Sequence, residues 1–310
     1  MRKIIASILL LCLALSLAAC GEAAEEPDAP VSIVTTVFPA WDFARQIAGD
    51  RANVILLVPP GAESHSFEPT AKDMLRIQEC TLFFCNGGES EAWVEELLEE
   101  QPVETLRMLD CVDALEEEEK EGMQRIREEQ EEEGPEYDEH VWTSPVNAER
   151  ICEALCERLC ALDPEGETEY RRNLDLYREE LQKLDLAFRD AVRAGKHRTL
   201  VFADRFPVRY FVEEYGLDYY AAFPGCADDT EPAARTVAFL IDRVRQEQLP
   251  AVFYIEFSNE KMADVIAEDT GCETLLFHSC HNVSAEDLER DVSYLKLMWG
   301  NVHALKEALG

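Results

Sequence analysis

ETEYRRNLDLYREELQKLDLAFRDAVRA, residues 167–194, runs for 28 residues without a glycine or a proline. Tyr170, Leu174, Leu176, Tyr177, Leu181, Leu184, Leu186, Phe188 and Val192 recur in it at roughly helical spacing. The stretch predicts a single helix about 40 Å long at 1.5 Å per residue. Upstream, strand-like segments at 31–36, 52–58 and 81–85 alternate with helical ones at 40–48 and 70–78. Downstream the alternation returns, with strands at 198–203, 217–223, 251–256 and 273–277 and a helical stretch at 232–248. Such alternation implies βαβ units on a parallel sheet. The expected fold is therefore α/β: two lobes, 31–166 and 196–310, each a mostly parallel sheet flanked by helices, joined by one long rigid helix at 167–195. A single stiff helix between lobes permits only small relative motion.

The chain has 310 residues, enough for about two domains, with a hydrophobic share of 47% that rules out wholesale disorder. Against 64 acidic side chains stand 29 basic ones, a formal charge of -35, which argues against nucleic acid as a partner. Arg2 and Lys3 precede an apolar run at 4–17 that is too short to span a bilayer, the pattern of an export signal. It ends in Leu17-Ala18-Ala19-Cys20-Gly21, which resembles the bacterial lipobox. Residues 1–19 are thus expected to be a lipoprotein signal peptide, Cys20 the lipidated anchor, and residues 20–30 a solvated tether. A second low-complexity run, 116–139, contains thirteen acids and three bases and ends at His140. It reads as a hydrated loop, either a solubilising surface or a low-affinity cation collector.

Of eleven cysteines, Cys12 lies in the signal and Cys20 at the anchor, leaving nine, an odd number outside the cytoplasm. Cys152, Cys156 and Cys160 share one helical face and read as small buried side chains, whereas Cys226 and Cys280 sit in loops at strand ends and are expected to pair as a disulfide.

Only six histidines occur, at 65, 140, 197, 278, 281 and 303, and four fall where strands give way to loops. His65 lies in a loop whose Pro59, Pro60 and Gly61 restrict the backbone. Together with Phe67-Glu68-Pro69, the stretch from Asn86-Gly87-Gly88-Glu89 to Trp93, His140-Val141-Trp142-Thr143-Ser144-Pro145, and Tyr294 to Met298 with Asn301, these features resemble the zinc/manganese solute-binding lipoproteins of bacterial metal ABC transporters, the TroA/ZnuA type. The resemblance covers essentially the whole chain after the signal.

That resemblance implies four metal ligands in a cleft, two from each lobe. The first two match His65 and His140. The third falls within 202–210, where no His or Glu is present; a match from Tyr210 puts Arg205 at the position, with Asp204 beside it as the available oxygen donor. Asp204 could equally pair with Arg205 or cap the following helix. The fourth family position is an Asp after the last strand, taken here by His278, with His281 or Cys280 as further candidates. The implied site is His65, His140, His278 and Asp204. Three imidazoles with a carboxylate or water suit zinc better than manganese, which prefers more oxygen.

The resemblance further implies a monomeric, extracytoplasmic receptor, not an enzyme, held to the membrane through Cys20 and delivering its ion to a permease and its ATPase. Neutral imidazoles coordinate, so affinity should fall as pH drops through about 6.5. A manganese-binding member of the same group, a lipid-anchored zinc hydrolase using Glu63, Glu68 or Glu256 as base, and a surface adhesin are the alternatives.

Overall fold

The computed structural model describes residues 29–124, 136–227 and 232–310. The first lobe contains β1 (Val31–Thr35), α1 (Phe38–Ala48), β2 (Ala52–Leu56), α2 (Ala71–Glu79), β3 (Leu82–Cys85), α3 (Trp93–Glu100), β4 (Thr105–Arg107) and α4 (Pro145–Leu162). All its strand pairs are parallel, in the order β2-β1-β3-β4. After the connecting helix α5 (Glu167–Ala194), the second lobe adds β5 (Thr199–Phe202), α6 (Arg209–Tyr215), β6 (Asp218–Ala221), α7 (Ala234–Glu247), β7 (Ala251–Tyr254), α8 (Lys261–Thr270) and β8 (Glu273–Leu276). Its sheet is parallel as well, in the order β6-β5-β7-β8. Two helices, α9 (Ala285–Glu289) and α10 (Tyr294–Leu309), complete the chain.

Helix α5 spans the 28 residues expected of it, but its buried stripe is narrower than the sequence suggested. Tyr170, Leu174, Tyr177, Leu181, Leu184, Phe188 and Ala191 are buried, alternating steps of four and three residues along one face. Leu176 and Leu186 are each 59% exposed, because they fall between those steps on the solvent side. The buried stripe packs against α1, α4 and α10, so it meets helices of both halves of the chain. Alternate strand residues divide the interior: Leu82, Phe84, Leu200 and Phe202 face one continuous core shared by both lobes, while Phe83 and Cys85, or Val201 and Ala203, face separate outer cores.

Six of the seven expected strands end one or two residues before their apolar runs do, and β3 ends with its run at Cys85, since the residues beyond them leave the sheet to form the loops between the lobes. The expected pairing of Cys226 with Cys280 is absent: all nine described cysteines are free thiols, and Cys280 is packed in the shared core. The expected signal peptide at 1–19, Cys20, all but the end of the 20–30 tether, and the centre of the acidic run lie outside the described residues.

Candidate metal centre

In open parallel sheets the loops beyond the carboxyl ends of the strands form the binding crevice, and here the loops of both lobes meet there. The loop after β2 carries His65, the segment leading into α4 carries His140, and the loop after β8 carries His281. Their rings converge, with centroids 5.4 Å apart for His65 and His140, 4.7 Å for His65 and His281, and 5.2 Å for His140 and His281. One nitrogen from each lies within 4.8 Å of the other two. They line a cavity of about 170 Å³ that Glu63, Arg205, Glu256 and Ser279 also border.

Each ring is held by the chain around it. The Asp138 carboxylate accepts the backbone N–H of His140 at 2.8 Å and lies 3.1 Å from its Nδ1. That contact places the ring proton on Nδ1 and turns the lone pair of Nε2 outward. His140 Nε2 is buried with no hydrogen-bond partner among the described residues. An orphaned buried nitrogen of this kind marks a place for a ligand. Gly225 leaves room for the ring: a Cβ there would meet Phe206 O at 2.9 Å and His140 Cε1 at 3.3 Å. On the other lobe, His281 Nε2 lies 2.8 Å from Ser64 Oγ, and its backbone carbonyl accepts the N–H of Phe38.

The electrostatics keep two of the three rings neutral. Burial and the neighbouring His140 push His65 down to about 3. Burial, then His65 and His140, hold His281 well below the usual imidazole range. His140 differs: burial opposes its charge, but the Asp138 carboxylate outweighs this and raises it.

His65 and His140 therefore stand together, joined by His281, while His278 and Asp204 are engaged elsewhere. The His278 N–H donates to Asn301 Oδ1 and its carbonyl accepts from Asn301 Nδ2, both at 2.8 Å, and its ring Nδ1 accepts the Cys280 N–H at 2.9 Å. Cys280, between the two histidines, adopts φ 63, in the left-handed region. His281, three residues after His278, borders the cavity. Asp204 accepts the backbone N–H of Arg205 at 2.8 Å and that of Ile255 at 3.5 Å, a loop-tying role. Arg205 itself borders the cavity and reaches across the lobes to Glu63 at 3.0 Å. Glu256 accepts from Ser279 N–H and Oγ, and Glu68 is exposed. Glu63 and Glu256, two of the three carboxylates considered as general bases, are thus tied by other partners. Asp138 and the adjacent Glu139 escaped the sequence reading, although Asp138 lies only two residues before His140.

A family model described as ZnuA, zinc-uptake complex component A, periplasmic, matches residues 33–308. The chain is 32% identical over 311 residues to the zinc-binding lipoprotein AdcA of Streptococcus pneumoniae, covering 99% of this chain and 61% of that relative's length. It is 28% identical over 306 residues to the high-affinity zinc uptake system protein ZnuA of Bacillus subtilis, covering 95% of this chain and 94% of the other. Among solved structures, the Zn(II)-bound ZnuA-like domain of Streptococcus pneumoniae AdcA superimposes with a TM-score of 0.75 at 29% identity, over 90% of this chain and 98% of that one.

Proposed function

The chain belongs to the ZnuA family of periplasmic zinc-uptake components, and on that premise we propose that it captures zinc outside the cytoplasm with high affinity and delivers it to the permease and ATPase of an ABC transporter. His65, His140 and His281 are the ligands in this reading, with water in the fourth position. The observation that carries it is the buried Nε2 of His140, unpartnered among the described residues, on a ring that clusters with two further imidazoles. Nitrogen-rich, four-coordinate sites favour zinc over manganese, which takes more oxygen ligands. Lipidation at Cys20 would hold the monomeric receptor at the membrane surface. The cargo enters as a hydrated cation and exchanges waters for imidazoles; Asp138 keeps the His140 lone pair presented throughout.

Metal content and competition titration with zinc test the assignment. Wild-type protein should hold one zinc tightly, His281→Ala should lose most of that affinity, and His278→Ala should keep it. Retention by His281→Ala together with loss in His278→Ala would overturn the ligand set.

A further inference from the structure

A second cavity, of about 290 Å³, adjoins the imidazole cluster on the other side of His65. Glu89, Glu117, Glu119, Glu136 and Glu139 border it together with Cys226, and none of the described residues lining it is a lysine or arginine. His65 borders both cavities. Donor atoms of His65, Glu139 and Cys226 lie within 4.8 Å of one another, with His65 Nδ1 4.0 Å from Glu139 Oε2. This is a mixed set of nitrogen, oxygen and sulfur donors, distinct from the run of carboxylates around it.

Two of these residues are held by hydrogen bonds. The Ser90 N–H donates to Glu139 Oε1 at 2.8 Å, and the Ser90 hydroxyl donates to Oε2. Gly88 makes space for the same carboxylate, since a Cβ there would come within 2.5 Å of it. The Cys226 N–H donates to Glu117 Oε1 at 3.2 Å. Cys226 also occupies a telling place in the topology: it follows β6, as His65 follows β2, and the two strands are equivalent in the two sheets.

We propose that His65, Glu139 and Cys226 form a second station for a thiophilic divalent cation, on the acid-lined side of the three imidazoles. Two ligands bound at about 2.0–2.3 Å to one tetrahedral ion stand roughly 3.5 Å apart, so closing this set requires side-chain shifts of about an ångström. Binding releases the Cys226 proton to solvent and forms the sulfur bond with the thiolate. The inference rests on the reading of His65, His140 and His281 as metal ligands only in that His65 is common to both sets. Because one imidazole serves both, the stations are successive positions on a path, and His65 passes the ion from one to the other.

Cobalt(II) is the probe, added to metal-stripped, fully reduced protein. In the wild type the first equivalent should give a spectrum without a thiolate-to-cobalt charge-transfer band, because the imidazole set takes it. In His281→Ala the ion should settle at the second station and the band should appear. In His281→Ala with Cys226→Ser the band should vanish, and Cys226→Ala in the same background should give the same loss, with thermal melts verifying that each variant is folded. Absence of the band from His281→Ala, or its survival in both cysteine variants, would overturn the station. Failure of the primary reading is a separate result: undiminished zinc affinity in His140→Ala, a residue with no part in the second set.

Discussion

The two lobes repeat one backbone plan and diverge in chemistry. Strand order β2-β1-β3-β4 in the first matches β6-β5-β7-β8 in the second, and all pairs in both are parallel. After the second strand in chain order of each sheet comes His65 in one lobe and Cys226 in the other; after the fourth come His140 and His281. After β1 the chain runs through Thr36 and Val37, whereas after β5 it presents Asp204 and Arg205. The first lobe thus brings two imidazoles to the crevice and the second brings one imidazole and a guanidinium. The repeated sheets set where the loops meet, and the residues placed on those loops set what they can hold.

That asymmetry can be broken most strongly at His140. His140→Ala should reduce zinc affinity beyond the about 10–100-fold that loss of an outer partner costs, measured by competition with a chelating dye. Asp138→Asn, which removes the carboxylate but not the ring, should fall within that 10–100-fold range while the fold melts normally. A gain is expected from evening out the lobes: Arg205→His supplies the second lobe with another imidazole at the cavity edge and should tighten zinc by about tenfold, or roughly 1.4 kcal/mol. No change, or weaker binding, would show that the Arg205–Glu63 pair is worth more to the site than a fourth nitrogen.

The smallest effect concerns the seam between the halves. Asp42 on α1 accepts the Tyr294 N–H at 2.9 Å, and burial pushes its carboxyl up from 3.8 to about 6 despite that bond and one from Gln46. Between those values the folded chain retains a proton that the unfolded chain has lost, so stability falls as pH rises from about 4 to 6 and stays lower above it. Melting curves should show Asp42→Asn flattening this slope, with a shift of a few degrees between pH 5 and 7.5.

Much of this architecture was legible because long-range periodicity is robust. Helix α5 has the bounds its uninterrupted pattern implied, and the sheets follow from the strand and helix alternation. Three-residue β4 was missed because so short a segment has no period to read. At the candidate site the two first-lobe histidines stood out by position, whereas the second-lobe assignment turned on which of two histidines three residues apart enters the cavity. His278 is tied to Asn301 and to the Cys280 N–H, His281 borders the cavity, and the left-handed φ of Cys280 between them is a conformation that a cysteine gives no sequence signal for. Asp204 offered the right atom type, but its oxygens are used by backbone N–H groups that only the folded loop brings near.

The loop carrying His281 is stitched to the first lobe. Trp142 Nε1 donates to Ser279 O, Asn282 Nδ2 to Pro59 O and Ala62 O, Gly61 N–H to Val283 O, and Phe38 N–H to His281 O. At about 1 kcal/mol net for each bond, parting the loop from the lobe costs roughly 5 kcal/mol before any metal bond is broken. Because one short loop carries all of these bonds, they rupture together, so at 1.4 kcal/mol per factor of ten the parted loop is a rare state, present in roughly one molecule in several thousand at 25 °C.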